Sequence, residues 1–154
     1  MKKYSYASVI CLLAVVLAGS LGYAQGYEKY LGPADVEKAA GMKGVKAIAK
    51  DSQSGAGGDL NFTNADGEII LMVQFTDATN YEKFKKTYGK EAVAGVGDQA
   101  VQGTTMPGFP PGFLVFSKAG QCVAITAFPD FAAKKNHLTI DQLVALGKVL
   151  ASRM

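Results

Sequence analysis

Cys122 and His137 are the side chains outside the N-terminal segment that offer a nucleophile and a general base. Cys122 lies in the apolar stretch Gln121–Phe128, where a cysteine typically acts as a small buried hydrophobic residue. His137 follows a polar, lysine-containing stretch, which predicts exposure, and a lone histidine does not form a zinc site. The sequence therefore predicts no catalytic residue, no metal site and no cofactor.

Residues 95–100, Gly-Val-Gly-Asp-Gln-Ala, superficially match a dinucleotide-binding fingerprint. That motif requires a helix that opens at the glycines. The glycines and prolines of residues 103–112 exclude such a helix. Gly95 and Gly97 are therefore expected to form a bulge or a sharp bend.

The segment 103–112 carries apolar side chains on a connection that its prolines keep from being helical. Met106, Phe109, Pro110 and Pro111 are the candidate residues for binding a ligand or a partner protein. The alternative is a loop that folds down and caps one end of the core.

Residues 1–24 have the organisation of a cleavable secretory signal. Two lysines precede the apolar run Val9–Ala18, and small residues stand at positions 22 and 24. An uncleaved anchor is the alternative, but the run is shorter than the roughly 20 residues of a membrane span. The expected location is periplasmic or secreted, without a stable membrane anchor after cleavage.

The composition of the remaining chain narrows the class of protein. The sequence has 154 residues, a net charge of +3 and 49% hydrophobic residues, which excludes a wholly disordered chain. Removing residues 1–24 leaves 130 residues, a charge of +1 and one cysteine, so no intramolecular disulfide forms. A charge this small predicts no nucleic-acid partner.

The chain beyond the signal is expected to contain a short linker, 25–32, and a single domain, 33–154. Three helices are predicted, over Pro33–Gly41, from Thr79 to Gly89 and over Ile140–Ser152. Thr79 and Thr139 each open a capping-box pattern. Gly147 lies on the apolar face of the last helix, where it permits close packing on a sheet.

Two β-hairpins are predicted, each with a turn that ends in glycine. Their strands are Leu60–Thr63 with Glu68–Phe75, and Phe113–Phe116 with Gln121–Phe128. Shorter strands are predicted over Val45–Lys50, Ala92–Val96 and Asp98–Gln102, and a loop or irregular turn over Asp130–Asn136. The two hairpins are similar in sequence, which indicates either an internal repeat or a chance match. Hairpins followed by helices predict an α+β fold. Its antiparallel sheet would consist of two hairpin-plus-helix units with helices packed against it.

Two short stretches carry a resemblance to a known family. Residues 34–40 (ADVEKAA) and 93–100 (VAGVGDQA), followed by a hairpin and a C-terminal helix, resemble small exported bacterial domains of unknown function. The resemblance spans about residues 30–152 and implies a PsbP-like α/β/α sandwich. It implies no catalytic residue, and the paired cysteines and lipobox of that family type are absent from this sequence.

Three classes of function remain open at the level of sequence. The first is a non-enzymatic exported accessory or binding protein of the bacterial envelope that binds through the loop 103–112 and the adjacent mixed apolar and polar face of the sheet. The second is an enzyme whose site is assembled from distant residues. The third is a structural envelope protein that self-associates through strand edges.

Overall fold

The computed structural model describes residues 26–48 and 59–154. The predicted signal 1–24 and the glycine- and serine-rich stretch 52–58 lie outside the described residues. The strand predicted over Val45–Lys50 is described only as far as Ile48.

In the described part of the chain, helices and strands combine into the predicted α+β class. The helices are α1 (Pro33–Ala40), α2 (Asn80–Tyr88) and α3 (Ile140–Arg153). The strands are β1 (Lys46–Ile48), β2 (Leu60–Thr63), β3 (Ile69–Asp77), β4 (Gly89–Ala92), β5 (Gln99–Gly103), β6 (Phe113–Lys118), β7 (Gln121–Ala127), β8 (Pro129–Asp130) and β9 (Lys135–Asn136). Seven of them form an antiparallel sheet in the order β1-β2-β3-β7-β6-β5-β4, and β8 and β9 form a separate ribbon.

The two predicted hairpins are present and lie side by side at the centre of the sheet. β3 pairs with β7 from Leu71 opposite Ala127 to Asp77 opposite Gln121. The β6–β7 turn has positive φ at its two central residues, 49° and 78°, as a type I′ turn requires. The local turns therefore form each hairpin, and the pairing of the apolar strands β3 and β7 joins the two hairpins.

Helices cover both faces of the sheet, because alternate residues of each strand point to opposite sides. Leu114 and Phe116 of β6 belong to the core that α1 and α3 cover. Phe113 and Val115 of the same strand pack with Tyr81 of α2 on the other side. The sheet is thus the middle of three layers, and each hairpin is followed along the chain by a helix on a different face.

The predicted close packing at Gly147 is confirmed. Gly147 is buried, and a Cβ atom added there would lie 2.7 Å from Leu114 Cδ2 and 3.0 Å from Val96 Cγ1. The absence of a side chain therefore allows α3 to approach the sheet.

One of the two predicted capping boxes is confirmed. Thr139 Oγ1 accepts a hydrogen bond from the Gln142 N–H at 3.3 Å, and Gln142 Oε1 accepts one from the Thr139 N–H at 2.8 Å. The capping box predicted at Thr79 is wrong, because Thr79 has helical backbone angles and its side chain caps nothing. Asp77 Oδ1 accepts from the Thr79 N–H at 2.8 Å instead, which lowers the pKa of the Asp77 carboxyl.

The strand boundaries around Gly95 also differ from the prediction. Ala92–Val96 was expected to be extended, but β4 ends at Ala92 and residues 93–98 turn back into β5. Gly95 and Gly97 take positive φ values of 76° and 58° in this turn. The turn places Val96 in the core beneath α3, which the alternation pattern alone did not indicate.

The residues before α1 pack against the domain. Leu31 is fully buried, and the Tyr27 ring stacks on Phe75 with centroids 4.3 Å apart. Arg153, near the C-terminus, donates to both carboxylate oxygens of Asp35 at 2.7 and 2.8 Å. The two ends of the domain are thus joined by a bidentate ion pair.

We expect this ion pair to make stability depend on pH. The hydrogen bond from Arg153 lowers the pKa of Asp35, so the folded state favours the carboxylate. Its contribution is present above the ordinary aspartate pKa of about 3.9 and is lost as the pH falls through the lowered folded-state value. Arg153→Met should lower the thermal midpoint modestly at neutral pH. The difference from wild type should shrink in acid but not vanish, because Arg153 Nη1 also donates to the Tyr30 carbonyl at 3.1 Å, a hydrogen bond that does not titrate. Lys148→Met on the same helix is the control, and a pH-independent difference for Arg153→Met would contradict the assignment.

Candidate functional site

The loop between β5 and β6 is closed at its base by backbone hydrogen bonds. The Gly112 N–H donates to the Gly103 carbonyl at 3.1 Å, and the Ala127 N–H donates to the Gly112 carbonyl at 2.8 Å. Within the loop, Thr104 Oγ1 donates to the Met106 carbonyl at 3.0 Å. Residues 104–112 therefore form a compact surface loop on a fixed base.

A tight turn within this loop positions Phe109. The Phe109 N–H donates to the Met106 carbonyl at 3.3 Å, and Gly108 has a φ of 83°. Proline followed by a positive-φ glycine is typical of a type II turn. Phe109 emerges half-buried from the turn, and the exposed prolines Pro110 and Pro111 follow it.

The ribbon β8–β9 presents a second phenylalanine beside the loop. Its turn is stabilised by Asp130 Oδ1, which accepts from the Ala133 N–H at 3.0 Å, and Lys134 has a φ of 52°. Phe131 is 67% exposed, the only large hydrophobic side chain so exposed among the described residues. A large apolar side chain left in water suggests a contact surface.

Asn136 joins the ribbon to the loop. Its Nδ2 donates to the Pro110 carbonyl at 2.9 Å, and a side chain at Gly112 would collide with it. The rings of Phe109 and Phe131 meet edge to face, with centroids 5.6 Å apart and planes at 77°. Phe109, Pro110, Pro111 and Phe131 together form one surface, which we term the apolar tip.

A small slot opens next to the apolar tip. It has a volume of about 170 Å³ and lies between the loop, the ribbon and the start of α3; its lining is Pro110, Pro111, Lys135, Asn136, Leu138, Thr139 and Ile140. Leu138 borders the slot but is fully buried, so it presents no accessible surface there. The lining is mostly apolar, with one lysine among it.

The predicted binding residues divide between the surface and its support. Phe109, Pro110 and Pro111 lie on the apolar tip, whereas Met106 is half-buried and closes the turn beneath Phe109. Phe131 was missed by the sequence prediction, although an apolar Phe-Ala-Ala stretch in a predicted turn is an unusual composition. Two loops, 22 residues apart at their phenylalanines, therefore share one surface.

A larger groove, of about 600 Å³, lies between α2 and β4. Charged side chains of both signs line it, and Glu82 and Lys85 form an ion pair at 3.6 Å across its helical wall. Glu91 accepts a hydrogen bond from Gln102 at 2.8 Å. These carboxylates already have polar partners, and the other charged side chains of the lining, Lys86 and Lys90, are exposed to water. Phe131 is instead a large apolar side chain left in water, so the apolar tip is the stronger candidate for binding.

Cys122 is buried at the start of β7, beneath α2. Its exposed fraction is 0%, and it packs with Tyr81 and Val115. Burial raises the pKa of the thiol to about 11, so the reactive thiolate is scarce at neutral pH. The interpretation of Cys122 as a buried hydrophobic residue is confirmed.

We expect Cys122 to resist thiol reagents in the folded protein. At neutral pH, a chromogenic disulfide reagent should label less than about 5% of the thiol in the time that labels it fully in denaturant, because labelling requires opening of the fold. Complete labelling of the native protein at the rate of a free thiol would show that this side of the sheet is open.

The structure does not bring Cys122 and His137 together. The His137 N–H donates to the Phe128 carbonyl at 2.9 Å, just beyond the end of β7, whereas Cys122 is near its start. Six residues of strand span about 20 Å. These two residues therefore do not form a nucleophile–base pair.

The remaining motifs are structural. Gly95 and Gly97 belong to the β4–β5 turn, so no helix opens at these glycines as a dinucleotide fingerprint requires. Within residues 26–48 and 59–154, no group of three or more metal-ligating side chains is clustered. The helices in those same ranges are too short or too polar to cross a bilayer.

Comparison with known proteins adds no relative: no protein family, curated protein or solved structure is detectably similar to this chain.

The hydrogen bond from Asn136 to the Pro110 carbonyl is expected to hold the loop 104–112 in its conformation. We expect Asn136→Ala to cost about 1 kcal/mol of stability, because it removes a single hydrogen bond. Backbone amide exchange in residues 104–109 should accelerate, while exchange in the β3–β7 pair stays unchanged. Lys135→Ala, at the neighbouring position, is the control. If exchange in the loop does not change, Asn136 does not hold it.

Proposed function

We propose that this chain is an exported, non-enzymatic accessory or binding protein of the bacterial envelope, and that the apolar tip is its docking surface. The observation that carries the proposal is the contact between the half-buried Phe109 and the exposed Phe131, held by two loops that are hydrogen-bonded to one another. Export is inferred from the signal-like organisation of residues 1–24.

A protein partner is favoured over a small molecule. Sites for small molecules typically enclose about 300–1,000 Å³ and bury most of the ligand. The slot beside the apolar tip is smaller, at about 170 Å³, and the aromatic pair stands outside it. The groove of about 600 Å³ between α2 and β4 has the volume of such a site, but it is lined largely by charged side chains and lies away from the aromatic pair. Aromatic anchors on a fixed backbone are typical of protein–protein contacts, where a few such residues supply most of the binding energy.

Self-association through the sheet edges is disfavoured. The edge strand β4 is four residues long and carries Lys90 and Glu91, and the described part of β1 carries Lys46. Short, charged edges discourage pairing with another sheet.

Deleting Met106–Pro111 tests the proposal. Gly103 and Gly112 are already joined by a backbone hydrogen bond, so the shortened segment can still connect β5 to β6. We therefore expect the fold to survive the deletion. The deletion should abolish recovery of the partner when the tagged protein is crosslinked in its native envelope and purified. Equal recovery of the same partner by the deletion variant and wild type would overturn this placement.

A further inference from the structure

Residues 27–31, just before α1, form a strap that is bound to the domain along its length. The Tyr27 ring stacks on Phe75 with centroids 4.3 Å apart, and the Tyr30 ring meets Phe75 at 5.7 Å. Leu31 is fully buried in the core. The strap therefore covers Phe75, which is only 9% exposed.

Polar contacts fix the backbone of the strap as well. The Tyr30 N–H donates to the Tyr27 carbonyl at 2.9 Å, which closes a turn. The Tyr30 carbonyl accepts a hydrogen bond from Arg153 Nη1 at 3.1 Å, so the end of α3 holds this turn. The Lys29 ammonium lies 4.7 Å from the centre of the Tyr30 ring, within the range of cation–π attraction. The docked strap is thus a turn with several attachments and not an extended strand.

The strap begins close to the predicted end of the secretory signal. Small residues at positions 22 and 24 place the scissile bond between Ala24 and Gln25. Only Gln25 and Gly26 separate that bond from Tyr27. Two residues of fully extended chain span about 7 Å, which is less than the diameter of one helix. A docked strap therefore holds the bond directly against the folded domain.

A peptidase needs more room than this spacing provides. A peptide that binds as an added strand is extended, and its backbone groups pair with the protein that binds it. For such a segment to reach past Gly26, Tyr27 must leave Phe75 and the turn to Tyr30 must open. Proteolysis of folded proteins generally proceeds through a transiently opened state of this kind.

We propose that docking of the strap and cleavage after Ala24 exclude one another, so that the signal is removed first and the strap docks afterwards. The inference rests on the exported location that is part of the proposed function, and it adds an order of events. After cleavage, Tyr27 and Leu31 pack onto the domain, and Arg153 closes over the strap. A domain in which the strap docks too early keeps its signal.

Processing of the purified precursor by a bacterial signal peptidase in detergent tests this order. The folded precursor is compared with a variant that carries six additional glycine and serine residues between Gln25 and Gly26. The insertion moves the scissile bond up to about 20 Å further from the strap and leaves the strap itself unchanged. We expect the folded wild-type precursor to be processed at least about 10-fold more slowly than the folded insertion variant. Both should be processed at the same rate when they are added directly from denaturant.

Substitutions within the strap provide a second comparison. Tyr27→Ser/Tyr30→Ser removes both rings from Phe75 and changes only half-buried positions, so the core is retained. This variant should be processed about 5-fold faster than the wild type in the folded state, because the strap opens more often. Glu28→Ser, at an exposed position of the same strap, is the control and should not change the rate.

Equal processing rates for the folded wild-type precursor and the folded insertion variant would overturn the inference and leave the proposed function intact. If the precursor added from denaturant is not cleaved between Ala24 and Gln25, the exported location fails together with the inference. The docking surface is tested separately, by the deletion of residues 106–111.

Discussion

Replacing Gly147 by leucine is expected to destabilise the protein by about 3 kcal/mol, at the upper end of the usual cost of overpacking a core. A Cβ alone would already lie 2.7 Å from Leu114 Cδ2, and Leu114 is fully buried. The larger helix propensity of leucine, about 1 kcal/mol over glycine, offsets only part of this cost. Chemical denaturation followed by circular dichroism measures the change.

Two further variants separate packing from helix propensity. Ala145→Leu, on the exposed side of α3, should change stability by less than about 0.5 kcal/mol. Shortening the opposing side chain in Leu114→Ala/Gly147→Leu should cost clearly less than the two single changes together, because the alanine change removes the clash and the added leucine side chain fills part of the cavity. Additive costs would show that the contact between α3 and β6 does not limit stability.

Replacing both phenylalanines of the apolar tip by serine is expected to weaken partner binding about 100-fold or more, since central aromatic residues commonly contribute about 2 kcal/mol or more each. The fold should be nearly unaffected, because Phe131 is 67% exposed and Phe109 is half-buried. Binding of the identified partner and the thermal midpoint are measured on the same preparations.

The conservative variant of this pair supplies the control. Phe109→Leu/Phe131→Leu keeps an apolar surface and should retain affinity to within about 10-fold. If the serine variant binds the partner as tightly as wild type, the aromatic pair is not part of the interface.

Local sequence signals predicted the hairpins and most helix ends correctly. The glycine-ended turns formed both hairpins, and Thr139 with Gln142 formed the predicted capping box. The same pattern failed at Thr79, because the side chain of Asp77 reached the same N–H group. Two equivalent local solutions compete there, and the pattern alone does not decide between them.

Contacts between distant residues were not predictable from local pattern. The pairing of β3 with β7 joins residues about 50 positions apart, and the alternation within β6 did not show which face each helix would cover. The candidate site depends on such a contact as well. Phe109 could be proposed from its proline-rich loop, but Phe131 gains its place only through the bond from Asn136 to Pro110.

Photo-crosslinking at defined positions tests the docking surface most directly. A benzophenone amino acid is placed at Phe131 on the apolar tip or at Lys83, which is exposed on α2 at the opposite face of the sheet. In the native envelope, the probe at position 131 should form one discrete protein adduct that the probe at position 83 does not. An adduct at position 83 with none at position 131 would contradict the assignment of the apolar tip as the docking surface.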